Sequence, residues 1–130
     1  MILDHIGLGV SDYERAKAFY DAALAPLGIV RLMEFPGEVT PSGAPACGYG
    51  RDGKPEFWIG AEGGTTPPLH VAFAARSRAE VDAFHAAAMA AGGTDNGPPG
   101  LRPLYHEHYY GAFVRDPDSH NVEAVCHRPE

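Results

Sequence analysis

The chain predicts an α+β fold of two tandem βαβββ modules, and three observations predict it. Two runs, residues 2–10 and 69–75, alternate aliphatic residues with small ones and carry a single histidine among the small ones, His5 and His70. Such period-two patterning marks a strand, because successive side chains point to opposite faces. Each run leads within a few residues to a serine followed three positions later by glutamate, Ser11/Glu14 and Ser77/Glu80, the signature of a capped helix. Each module then closes on short strands joined by turn residues, so the chain reads as an imperfect repeat of about 65 residues.

Taken in order, Ile6, Leu8 and Val10 give the first strand an aliphatic face, while His5, Gly7 and Gly9 give it a face with room on it. Ser11 predicts the first N-cap. Tyr13, Ala16, Phe19, Tyr20, Ala23, Leu24 and Leu27 form the stripe of a helix that should lie on the aliphatic face, and Pro26 with Gly28 ends it. Residues 29–35 predict a second strand. Residues 46–50 and 56–60 predict two more, with Asp52-Gly53 as a hairpin turn. Residues 62–68, rich in Gly, Thr and Pro, read as a linker. In the second module Val81, Phe84, Ala88 and Ala91 supply the helix stripe, ended by Gly92-Gly93, and Gly97-Pro98-Pro99-Gly100 interrupts the sixth strand. The closing hairpin turns at Asp116-Pro117-Asp118-Ser119. Its return strand puts Val122, Ala124 and Cys126 on one face and Asn121, Glu123, Val125 and His127 on the other.

At 130 residues the chain suits one domain, 1–130, with module one at 1–62 and module two at 68–128. The formal charge of −7, from 10 basic and 17 acidic residues, and the scatter of the basic residues argue against nucleic acid or an anionic membrane as partner. A small-molecule substrate is the expected partner. Neither a leader nor an apolar span is legible, so a cytoplasmic location is expected. Cys47 and Cys126 read as buried thiols.

If related strands pack side by side, the small-residue faces of both opening strands share a cleft that brings His5 and His70 together. Glu123 follows His70 by 53 residues and Glu56 follows His5 by 51, so each module supplies an acid. A carboxylate in so apolar a strand needs a partner. Two imidazoles and a carboxylate with open positions suit a divalent ion such as Fe, Mn, Ni, Co or Zn.

These residues carry a family resemblance. Leu3-Asp4-His5-Ile6-Gly7-Leu8 with the capped helix ending in Phe19-Tyr20, then Leu69-His70-Val71-Ala72-Phe73, then residues 110–118 with Asn121-Val122-Glu123, together resemble the vicinal oxygen chelate superfamily of glyoxalases, extradiol dioxygenases and bleomycin-resistance proteins. The resemblance covers essentially the whole chain. It implies a cup of mixed sheet, a homodimer, and His5, His70 and Glu123 as metal ligands. Two departures stand out. The fourth-ligand position falls on Glu56 or on Trp58, with the mid-strand place of Trp58 favouring the indole; and Ser119 stands where the family has glycine.

The function expected first is a metal-dependent lyase or isomerase of glyoxalase type, with Glu123 or Glu56 moving the proton. An extradiol-type dioxygenase using the same triad is the second reading, and a metal-free resistance-type binder of an aromatic molecule is the third. Trp58, Tyr110 and His108 are the expected substrate contacts, His108 and His106 lying in a loop that could fold over the cup. His85 and His120 read as surface residues.

Overall fold

The computed structural model describes residues 3–130. Eight strands and two helices follow in the order β1 (Ile6–Gly9), α1 (Tyr13–Leu24), β2 (Val30–Phe35), β3 (Ala46–Gly50), β4 (Phe57–Gly60), β5 (His70–Ala74), α2 (Arg78–Ala90), β6 (Thr94–Leu101), β7 (Tyr110–Arg115) and β8 (Asn121–Cys126). The strands form two mixed sheets of four, β1-β4-β3-β2 and β5-β8-β7-β6. In each, the opening strand runs parallel to the closing strand of its own module and the others are antiparallel. The βαβββ repeat of the sequence is thus the repeat of the structure.

The helix stripes do what their spacing demands. Tyr13, Ala16, Phe19, Tyr20, Ala23 and Leu24 of α1, and Val81, Phe84 and Ala88 of α2, are buried, each large apolar side chain contributing about 1.5–3 kcal/mol. The caps differ from expectation at one end. Asp12, not Ser11, caps α1, accepting from the Arg15 N–H at 3.1 Å. The Ser11 N–H is held by the Asp118 carboxylate of the second module at 3.1 Å, so it is not left for Glu14 to cap. Ser77 caps α2 through the Glu80 N–H at 3.2 Å, while the Glu80 carboxylate reaches back to the Arg76 N–H at 2.9 Å, one residue beyond the Ser77 amide.

The first strand is shorter than its alternation suggests. Residue 2 lies outside the described residues, and His5 stands just before β1 because β4 begins only at Phe57, the partner of Ile6. In β6 the Gly97-Pro98-Pro99-Gly100 stretch stays in the sheet but shifts register twice, since proline has no N–H to give the ladder.

The modules are locked to one another. Phe57 meets Phe73 edge to face at 5.1 Å. Arg51 donates to the Leu27 carbonyl at 2.8 Å and the Ala74 carbonyl at 2.7 Å. Tyr20 donates to Asp116 at 2.5 Å, and the other Asp116 oxygen takes the Asp118 and His120 N–H groups of the last turn. His120 corrects an expectation: it is fully buried, its Nδ1 accepting the Leu69 N–H at 2.9 Å. The turn folds it inward to satisfy the amide before β5. His85 is likewise mostly covered, with 17% of its side chain exposed, and pairs with Asp95 at 3.0 Å. Among the described residues no helix is long and apolar enough to cross a membrane.

Candidate active site

One face of each sheet is covered by helices, and the chemistry lies on the other. In the second sheet Ala72 pairs with Glu123 and Glu123 with Phe113, so the face opposite the helices carries His70, Ala72, Glu123, Gly111 and Phe113. Although that face is open, Glu123 is fully buried. His70 Nε2 lies 2.9 Å from Glu123 Oε1, with about half of the imidazole side chain (53%) exposed. The hydroxyl of Tyr109 donates to the other oxygen, Oε2. Burial, and then the Glu123 carboxylate, push the Tyr109 phenol above its ordinary range. A side chain on Gly111 would place its Cβ 3.1 Å from Glu123 Oε2 and 3.2 Å from the Tyr109 ring, so glycine there makes room for both groups.

The first sheet has a different open face. Gly7 and Gly48 flank Trp58 in the register, and a Cβ on Gly48 would lie 2.8 Å from the indole, which therefore rests flat on that strand. Phe35 stacks on Trp58 with centroids 6.0 Å apart and planes 5° from parallel. Met33 and Phe35 on this face are exposed at 45% and 41%. Trp58 also lines a cavity with Gly7, Gly9, Gly60 and Thr65.

A separate cavity of about 400 Å³ joins the modules, and His5, Glu56, Arg51, His70 and Phe73 are on its walls. The structure thus places His5 and His70 on one cavity, as the repeat predicts, and puts Glu56 with them rather than Trp58. Glu56 sits beside His5 because the Ile6 N–H donates to the Glu56 carbonyl at 2.9 Å. His5 Nδ1 contacts the Asp4 carboxylate at 2.7 Å. The His5 partner holds the Asp4 carboxyl below its usual range, with Lys54 adding to it. Among the described residues no three or more His, Cys, Asp or Glu side chains gather closely enough to hold an ion. Of the expected donors only His70 and Glu123 touch, while His5 contacts Asp4 and shares its cavity wall with Glu56.

Tyr110 and His108 lie elsewhere. Tyr110 pairs with Cys126 on the helix side of the sheet, donates to Asp82 at 2.7 Å and has Arg78 over its ring at 5.1 Å. His108 is a loop residue whose N–H donates to His106 Nδ1 at 3.1 Å. The residue that reaches the carboxylate is Tyr109. A signal for it was present: residues 109, 111 and 113 share strand parity, and Phe113 stands opposite Glu123.

Comparison with known proteins agrees with this architecture. The family model described as Glyoxalase/Bleomycin resistance protein/Dioxygenase superfamily matches residues 2–124. A glyoxalase/bleomycin resistance protein from Albidiferax ferrireducens T118 is similar at 34% identity and a TM-score of 0.79, over 97% of this chain and 99% of that one. A glyoxylase/bleomycin resistance protein/dioxygenase domain from Frankia sp. EAN1pec shares the fold at 20% identity and a TM-score of 0.72, over 98% of each chain. The E144Q glyoxalase I mutant of Zea mays shares it at 23% identity and a TM-score of 0.71, over 95% of this chain but 46% of that one. No curated protein matches.

Proposed function

Because the chain belongs to the glyoxalase/bleomycin resistance protein/dioxygenase superfamily, we propose that it is a metal-dependent lyase or isomerase of glyoxalase type, acting on a small molecule with adjacent oxygens. The observation that carries this reading is the His70 Nε2 to Glu123 Oε1 contact of 2.9 Å on an open sheet face. A neutral imidazole beside a carboxylate is the donor chemistry that divalent Fe, Mn, Ni, Co and Zn take. Among the described residues no third donor joins that pair, and we take one chain to offer part of a site.

The remainder is proposed to come from a second copy. Met33, Phe35 and Trp58 form an apolar face that a homodimer would cover. Because His5 and His70 of one chain share a cavity without gathering a set of three donors among the described residues, we propose that a two-fold axis sets His5 and Glu56 of each chain against His70 and Glu123 of the other. His5, His70 and Glu123 would then hold the ion. When bound, it polarises a substrate carbonyl oxygen. Glu56, at the mouth of β4, takes the proton from the carbon beside that carbonyl and returns it to the neighbouring carbon. Glu123, packed away from water, keeps its oxygen aimed at the site, and Trp58 walls the substrate.

Mixing two defective proteins tests both parts. His5→Ala and Glu123→Ala should each lose Co(II) uptake alone, yet co-refolded together they should regain about one ion per mixed dimer, since one of its two sites then has every ligand. Wild-type protein that takes up no Co(II) would reject the metal reading, and uptake that is not restored on mixing would reject the shared site.

A further inference from the structure

We infer that Tyr109 is the positioning residue of Glu123, and that the loop carrying it sets which carboxylate oxygen is free to react. The inference rests on the reading of Glu123 as a metal-site residue. A carboxylate has two oxygens that can each accept, ligate or take a proton. Here they are divided: His70 lies against Oε1 and the Tyr109 hydroxyl donates to Oε2. A phenol gives one proton to one acceptor, so Oε2 is held and Oε1 alone faces the open imidazole.

The loop is built to deliver that hydroxyl. The Arg102 N–H donates to the Tyr109 carbonyl at 2.7 Å and the Tyr109 N–H to the His106 carbonyl at 3.2 Å, closing residues 102–109 on themselves. The Tyr109 ring is held edge-on by Tyr105 at 5.1 Å and by His127 at 5.2 Å, the latter at 90°. Gly111 leaves the gap through which phenol and carboxylate meet. Ring, backbone and glycine therefore fix the donor before any ligand arrives. Partners of this kind outside the ligand shell commonly change metal affinity by about 10- to 100-fold when removed.

Tyr109→Phe keeps the ring and its packing and removes only the donor. Titrated with Co(II) alone and followed by visible absorption, this variant should bind about 10-fold or more weakly than wild type with an altered spectrum, and should melt lower because the buried Oε2 loses its donor. Tyr105→Phe, which removes a hydroxyl from the neighbouring ring, should bind as wild type does. Wild-type affinity and spectrum in Tyr109→Phe would overturn the inference and leave the metal reading standing. Should wild type itself bind no Co(II), the metal reading falls, and the positioning role is decided without metal. The ¹³Cζ resonance of Tyr109, identified by its loss in Tyr109→Phe, must then move in Glu123→Gln; an unmoved resonance overturns the inference as well.

Discussion

The two modules share a topology and differ in where they keep charge. Module one spreads its ion pairs along a rim: Glu34 contacts Lys17 and Arg31 at 2.8 Å each, and Arg31 reaches Asp21 at 3.2 Å. Its open face is glycine and aromatic. Module two sinks a carboxylate into the corresponding face and covers it with a tyrosine from a loop. The register makes the correspondence sharp, for Trp58 pairs beside Gly7 as Glu123 pairs beside Ala72, two residues beyond each histidine. An indole stands in one half where an acid stands in the other. A duplicated fold thus need not duplicate its surfaces, because one residue at one register position decides whether a sheet face stacks on a ring or buries an acid.

The largest expected effect falls on that position. Glu123→Gln should cut Co(II) affinity by about 100-fold or more, because a carboxylate ligand becomes a neutral amide, while Glu34→Gln should leave it unchanged in the same titration. Equal losses in both would erase the distinction between rim and face. Next comes Gly48→Val, whose side chain would enter the space of the Trp58 ring. Overpacking of this kind costs about 1–3 kcal/mol, read from the denaturant midpoint, and near-wild-type stability would mean the indole is free to leave its strand. Trp58→Ala gives up the Phe35 stack, a loss of about 1 kcal/mol beyond area in the same denaturant measurement, and an unchanged midpoint would mean that the stack adds nothing.

A smaller effect concerns the turn before Glu123. Ser119 adopts φ 70°, the left-handed region that costs a residue with a Cβ. Ser119→Gly should raise stability by about 0.5–1 kcal/mol, measured by thermal melting; a decrease would show that the serine hydroxyl matters more than its backbone. The smallest effect is one of pH. The Lys17 ammonium, and then the Tyr13 hydroxyl, hold the Glu34 carboxyl below its ordinary value of 4.5. A depressed folded value means the stabilisation is present above the ordinary value and is lost as the pH falls through the folded one. Glu34→Gln should therefore flatten the dependence of Tm on pH only in the acid limb, and a change confined to neutral pH would contradict the assignment.

Much of this was legible in the sequence for a local reason. Alternation and helix stripes are set by neighbours a few residues apart, and both modules obey them. The pairing of His70 with Glu123 was legible too, because the repeat places parallel strands together. Tyr109 was not picked out although its parity with residues 111 and 113 marked it, because adjacent Tyr110 sits inside the strand and drew the choice. His120 was hidden for a similar reason: a polar residue in a turn reads as solvated until its amide partner across 51 residues is seen. Trp58 and Glu56 share a face, and only the cavity walls separate their surroundings.

The joint formed by Tyr20 with Asp116 bears on how the chain can be divided. That contact lies outside residues 62–68, a stretch itself tied to module one where Thr65 accepts the Gly9 N–H at 2.7 Å. A cut in that stretch should leave two fragments that stay clasped, whereas either fragment by itself would present a severed buried contact to water. The halves are therefore separable as peptides and inseparable as folding units.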